Sequence, residues 1–426
     1  MPINFKATGK VITTSLCALA FSFNAFADSG TYDVVERFKL LEDKFKTSDM
    51  LNAPGHDFYL DIGVLANTNI TDFIDEAKEV EDDDANIALA NAQEFLKKND
   101  KTEQNARVRF GLGFPLPSFT LFGAKIKPNF RVEGRVGVLM GVRSEKFTVN
   151  DALSFLPSDL DPNVRAVLES CDFSGLAGGQ DIIQFAVSQC GLPASEADPY
   201  LGKYYFPSNS DTPLIHNYIN GEARAGLYFD YAYGERWWGS FNLYGLGRAD
   251  YRTIVSADTL AGKEEIGDVD LDNNIMNLTT DLKFGYKNGS LSGFAALEEI
   301  KIASVSDNAS EKGEPLYGDD MMFRLHGEYI YRLSNFDVKA FGGTHKRSGY
   351  GFGDGLYAGA DLRLHVWEER MKLRFRGMID NEHFTFAPMM DLWLIRLEYV
   401  LKQPLSSDYN GVKPSTLHAI NFRIEI

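Results

Sequence analysis

From residue 107 to residue 379 the chain keeps returning to strict alternation of apolar and polar side chains, in segments that often run to 11 to 15 residues. Residues 107–114 set Val108, Phe110, Leu112 and Phe114 against Arg107, Arg109, Gly111 and Gly113. Residues 130–142 set Phe130, Val132, Val136, Val138, Met140 and Val142 against Arg131, Glu133 and Arg135, and residues 218–231 behave alike. The segments 276–286, 323–333, 336–347, 356–366 and 371–379 follow the same rule. A helix would spread these residues around its surface, whereas a strand sorts them onto two faces. Globular strands run to about 5–6 residues, while a tilted strand needs about 9–11 to cross a bilayer. A polar face that carries charge on strand after strand suits a watery lumen, and the apolar face suits lipid. The expected fold is all-β: a transmembrane antiparallel β-barrel of 12–14 strands with an N-terminal helical segment and long, partly helical extracellular loops.

The connections support a barrel. Short turns are expected at Tyr233-Gly234-Glu235-Arg236, Lys287-Asn288-Gly289-Ser290, Leu333-Ser334-Asn335 and Val366-Trp367-Glu368-Glu369, and long loops near 67–104, 145–215, 255–274, 303–320 and 346–355. Short turns on one side and long loops on the other is the outer-membrane pattern. Asn288-Gly289 predicts a type I′ hairpin. Tyr233, Trp237 and Trp238 at a short turn predict part of an aromatic girdle. About thirteen strands can be counted, starting near His56, yet the number should be even; the missing strand is expected around Phe119–Ile126 or inside Phe384–Lys402. The segment ending Ile420, Phe422, Ile424 and Ile426 is expected as the terminal strand read by the assembly machinery, with Ile426 where an aromatic residue is usual.

The first 27 residues predict a cleaved signal peptide: Lys6 and Lys10, the apolar run 11–23, then Ala25-Phe26-Ala27. Cleavage would lower Lys+Arg from 43 to 41 against 60 Asp+Glu, a net charge of −19. That balance argues against nucleic acid as a partner. The expected partners are outer-membrane lipid, the assembly machinery and a small solute, and the expected location is the outer membrane of a Gram-negative bacterium. Residues 28–55 form a separate helical segment, with Val34, Phe38, Leu41 and Phe45 at helical spacing, placed inside the barrel as a plug or in the periplasm; residues 56–426 form the barrel. Loop insertions at 67–104 and 145–215 carry further helices, near 71–98, 162–170 and 180–189. Cys171 and Cys190, the cysteines left after cleavage, predict a disulfide in the second insertion.

Candidate site residues lie on the inward faces. The cations are Arg107, Arg109, Arg131, Arg135, Arg224, Arg248, Arg324, Arg363, Arg374 and Arg376. The acids are Glu133, Glu222, Asp230, Asp250, Glu328 and Asp361. Opposed charges across a lumen would tune solute selectivity; equally, they would pair with one another in a closed barrel. Asp268, Asp270 and Asp272 have the spacing that opens an EF-hand, but Asn273 and Thr279 stand where its glycine and glutamate belong, leaving at most a loosely bound divalent cation. No other cofactor is expected. His345 with Asp319-Asp320 is the sole loose catalytic grouping, and no enzyme is expected. The expected function is an outer-membrane channel or transporter for passive passage of small solutes; the alternative is a non-conducting barrel that displays its extracellular loops.

The order of parts, with Leu51-Asn52-Ala53-Pro54 ahead of the first strand, resembles the fatty-acid-transporter (FadL-type) family, which has an Asn-Pro-Ala motif in an N-terminal hatch inside a barrel of similar strand number. The resemblance covers most of the chain as architecture and implies transport. Since the motif is altered in order here, no residue role carries over.

Overall fold

The computed structural model describes residues 33–144, 160–201, 212–262, 273–307, 317, 320–333, 336–367 and 371–426. The strands are β1 (Tyr59–Asn67), β2 (Glu103–Pro115), β3 (Phe119–Leu121), β4 (Ala124–Arg143), β5 (Leu214–Tyr233), β6 (Trp237–Val255), β7 (Asn273–Asn288), β8 (Leu291–Asp307), β9 (Met322–Arg332), β10 (Phe336–Lys346), β11 (Tyr357–Trp367), β12 (Met371–Asp380), β13 (His383–Leu392), β14 (Ile395–Pro404) and β15 (Leu417–Glu425). Each long strand pairs antiparallel with its sequence neighbours, and β1 pairs with β15 to close a fourteen-stranded barrel. The short β3 only extends a hairpin onto the start of β4, so β2 pairs directly with β4. Phe384–Lys402 divides into β13 and β14, with Trp393 at positive φ in the turn between them. That split supplies the strand that alternation alone merges, because Leu392-Trp393-Leu394-Ile395 reads as one apolar run.

Closure brings Phe58 and Ile426 into mutual backbone hydrogen bonds of 3.1 and 2.9 Å. The barrel segment therefore begins and ends on the same rim, which also carries the short turns. The opposite rim carries the long loops and the tight 381–382 turn. The Asn288-Gly289 expectation is corrected in detail. The two-residue turn is Gly289-Ser290, flanked by the Asn288–Leu291 pair, and only Gly289 has positive φ. That is a type II′ turn, which places glycine first. At the neighbouring turn Trp237 packs outside against Tyr286 and Phe284, but Trp238 turns into the barrel over Gly285 and Phe294. Consecutive strand residues face opposite ways, so one of this pair leaves the girdle.

Strand alternation leaves an apolar belt outside: Val64, Val136, Phe284, Tyr329 and Ile420 are all at least half exposed. Water would penalise such a belt; hydrocarbon accepts it. No helix among the described residues is long and apolar enough to cross a membrane.

Helix α1 (Val34–Met50) lies in the lumen. Asp33 caps it by accepting from the Val35 N–H at 2.7 Å, and Pro54 forbids its continuation toward β1. Val34, Phe38, Leu41 and Phe45 pack against Leu65, Leu139, Tyr218, Val400 and Ala419 of the wall. Each large apolar side chain so buried contributes roughly 1.5–3 kcal/mol. Gly137 makes room: a Cβ there would meet the Phe38 ring at 2.8 Å.

At the loop rim, α2 (Ile70–Lys78) and α3 (Ala85–Lys98) pack with Val142, Ile215 and Val255. Helices α4 (Pro162–Ser170) and α5 (Ile182–Gln189) form a small core of their own around Val164, Leu168 and Ile183. Cys171 and Cys190 are disulfide-bonded beside that core, with Cα atoms 5.5 Å apart.

Candidate functional site

The lumen wall is built by one rule: every second residue of each strand faces α1. Register puts Arg107, Arg109, Arg131, Glu133 and Arg135 on neighbouring inward rows of β2 and β4, and on β5 and β6 it sets Glu222 opposite Arg248, Asn220 opposite Asp250 and Arg224 opposite Leu246. Arg324 and Glu328 of β9, and Asp361, Arg374 and Arg376 of β11 and β12, continue the ring. Asp230 and Arg363 lie exposed toward the turn rim and take no part in the ion-pair network described below. Asp268, Asp270 and Asp272 lie outside the described residues.

The ring grips α1 at three levels. Nearest the loop rim, Arg37 spans Glu103 at 2.8 Å and Glu382, and Lys44 reaches Glu382 at 3.0 Å and Asp380 at 3.5 Å. Glu382 sits in the turn between β12 and β13. Burial pushes its carboxyl up, but Arg37 and Lys44 outweigh that and hold it well below the ordinary 4.5.

At the middle level Glu42 accepts from Arg107 at 2.9 Å and Arg135 at 2.5 Å, while Asp43 accepts from Arg347 at 2.9 Å and from the Tyr350 hydroxyl at 2.7 Å. Tyr317, on the long loop after β8, folds into the lumen. Its N–H donates to Asp250 at 2.8 Å, and its ring lies beneath the Arg248 guanidinium at 4.3 Å. Nearest the turn rim, the carbonyls of Leu51 and Asn52 accept from Arg376 at 2.9 Å and Arg423 at 2.6 Å, and the Asn52 side chain accepts from Arg374 at 3.1 Å.

The hub of the middle level escapes simple alternation. Between β7 and β8 the register slips, so that Glu298 and Glu299 together oppose Asp281. Glu299 has φ +62°, and its N–H donates to the Asp281 carboxylate at 2.8 Å. This β-bulge turns both carboxylates inward. Glu298 pairs with Arg324 at 2.9 Å. Glu299 meets Lys46 and Arg248 at 2.5 Å, Arg347 at 3.0 Å, and Arg224. A non-glycine residue in the left-handed region costs of order 1–3 kcal/mol; four cations around one buried carboxylate over-determine it. Strict alternation admits only one of two adjacent acids to a lumen, which is why Glu299 is invisible to it. Arg347 and Glu382 are missed for a different reason: they lie in connections, where no periodicity marks direction.

Asp319 lies outside the described residues and Asp320 pairs with Lys39 at 3.1 Å. The His345 Nδ1 meets the Tyr350 hydroxyl at 2.9 Å within the grip on α1. A second histidine relay lies on the outer wall: Tyr399 Oη to His418 Nδ1 at 2.6 Å, His418 Nε2 to Thr68 Oγ1 at 2.8 Å, and Thr68 Oγ1 to the Thr416 carbonyl at 3.2 Å.

Below α1, toward the turn rim, the lumen holds a cavity of about 230 Å³. It lies between Lys46, Asp49 and Pro54 on one side and Tyr59, Arg131, Glu133 and Arg423 on the other. Eight cationic side chains line it against five carboxylates.

No family model matches the chain, and no curated protein matches it. Solved structures similar to it are outer-membrane barrels. CdiB from Acinetobacter baumannii shares 7% identity over 87% of this chain, with a TM-score of 0.33, and the chain spans 60% of CdiB. The transport unit of the Escherichia coli autotransporter AIDA-I shares 7% identity over 93% of this chain and 99% of its own, with a TM-score of 0.36. A mutant Rh. blastica porin shares 10% identity over 87% of this chain and 99% of its own, with a TM-score of 0.27. These similarities concern the barrel fold and do not extend to activity.

Proposed function

We propose that this protein is an outer-membrane channel for passive passage of small polar solutes, with α1 as an internal plug that sets how open the lumen is. The observation that supports this most is the contrast between the two faces of the strands. An apolar belt meets lipid outside, while inside a charged wall encloses a helix that pairs with none of its strands. In this reading residues 1–27 direct export, the loop rim faces outside and the turn rim faces the periplasm, as in barrels assembled from the periplasmic side. Outer-membrane lipid and the assembly machinery are then its partners, and chemistry is not its task. Fourteen strands and a luminal N-terminal segment are compatible with the fatty-acid-transporter resemblance, but a wall dense in Arg, Asp and Glu suits polar solutes better than acyl chains.

A second reading rests on the three-level grip on α1: a closed barrel that displays its loops. Single-channel recording of the purified, folded protein in planar bilayers, with solute uptake into liposomes, separates the two. Conductance steps and uptake are expected of the channel. A folded barrel with neither supports the closed, loop-displaying protein instead.

A further inference from the structure

Almost every charge in the lumen is committed. Of the carboxylates lining the cavity below α1, Asp49 meets Arg107 at 2.9 Å, Asp61 meets Arg423 at 2.6 Å, and Glu298 meets Arg324 at 2.9 Å. Glu222 meets Arg248 at 2.8 Å, and Glu133, with no cation at ion-pair distance among the described residues, receives the Tyr59 hydroxyl at 3.4 Å.

Arg131 stands apart. It has no carboxylate within ion-pair distance among the described residues, and its buried Nε has no hydrogen-bond partner. The guanidinium lies 4.8 Å from the centre of the Tyr228 ring and 5.9 Å from that of Tyr59. Its cross-strand neighbours are Gly113 on β2 and Gly226 on β5. A Cβ on Gly113 would strike the Tyr59 ring, and one on Gly226 would strike the backbone of Leu243 and Tyr244 on β6. Gly113 therefore admits the Tyr59 ring beside Arg131, Gly226 admits the close approach of β6, and neither offers it an acid. One row nearer the turn rim, Asn129 is fully buried with both amide atoms unpartnered, and the Tyr228 hydroxyl is unpartnered too.

A guanidinium framed by ring faces, fronting a cavity with surplus positive charge, is built to take a planar oxyanion two-pronged. Aromatic walls around it favour a flat organic body over a bare ion. We propose that Arg131, framed by Tyr59 and Tyr228, is the binding site for a small organic carboxylate in the periplasmic half of the lumen. The site gives the channel reading its substrate class and rests on that reading for its physiological role, though not for its chemistry. In a pore, weak and specific binding of this kind selects the solute while leaving it free to exit.

The test uses the full chain, folded in detergent micelles, and titrates it calorimetrically with benzoate and separately with inorganic phosphate. Saturable benzoate binding is expected, weakened at least tenfold in Arg131→Gln and less in Arg131→Lys, which keeps the charge without the fork. Arg363→Gln, at the exposed rim, should bind as the parent does. Phosphate bound as tightly as benzoate would replace the carboxylate with a general oxyanion. No saturable binding, or binding untouched in Arg131→Gln, overturns the site. Should Arg131→Gln fail to fold, Arg131→Lys and Tyr228→Leu carry the same comparison. A protein that binds benzoate but never conducts keeps the site and loses the channel; one that conducts without binding does the reverse.

Discussion

The two ends of the luminal helix differ in kind. Toward the loop rim, Arg37, Glu42, Asp43 and Lys44 are each buried and held by one or more wall or loop groups of opposite charge. Toward the turn rim, the chain after Met50 is held mainly through backbone carbonyls and the Asn52 amide, and a cavity opens beside it at Arg131, which has no carboxylate partner among the described residues. Buried charge pairs give little net stability when intact but leave a heavy penalty when one partner is removed. The loop-side grip is therefore stiff and all-or-none, while the turn side has room for a solute. In the channel reading proposed above, such a plug would release by losing its upper latch and receive its ligand from below.

The largest way to break the contrast is Glu299→Ala. It strips the common partner from Arg224, Arg248, Arg347 and Lys46, and a cost of about 3–5 kcal/mol is expected. Hydrogen exchange by mass spectrometry should show faster exchange in residues 34–50 and little change at Tyr59 and Arg131. Exchange quickened as much at Tyr59 and Arg131 as in residues 34–50 would erase the distinction between the two regions.

Acid should act in the same direction, more gently. The Glu382 carboxyl is held below its ordinary value of 4.5 in the folded protein, so its contribution is fully present above that value. The contribution fades as pH falls below 4.5 toward the depressed folded value. Channel openings should become more frequent over that acidic range and stay unchanged between pH 6 and 8. Glu382→Gln should abolish the acid response, since the latch is then neutral at every pH. The smallest effect belongs to Arg363→Gln, whose side chain is exposed at the turn rim. It should shift stability by no more than about 0.5 kcal/mol in chemical denaturation; a larger loss would mean that the rim is tied to the wall after all.

Periodicity made the wall legible. Arg107, Arg109, Arg131 and Arg135 could be placed on one face from their spacing, because backbone geometry fixes strand alternation and packing does not alter it. The helix was legible from Val34, Phe38, Leu41 and Phe45. What stayed hidden were the places where geometry departs from period two. The bulge at Glu298-Glu299 gives two adjacent acids the same face, and Trp393 turns an unbroken apolar run into a hairpin. Arg347, Tyr317 and Glu382 act from connections, where direction depends on tertiary contacts. The isolation of Arg131 was equally unreadable, since it depends on glycines in two other strands.

The central claim is that α1 governs the lumen, and its most direct test is single-channel conductance of the parent beside a variant lacking residues 28–50. The barrel must be shown intact in both by its circular dichroism and resistance to unfolding in cold detergent. A severalfold larger conductance in the shortened protein is the predicted result. Equal conductance from two equally folded barrels would contradict it, because a helix buried against Leu139, Tyr218 and Val400 cannot leave the lumen without widening it.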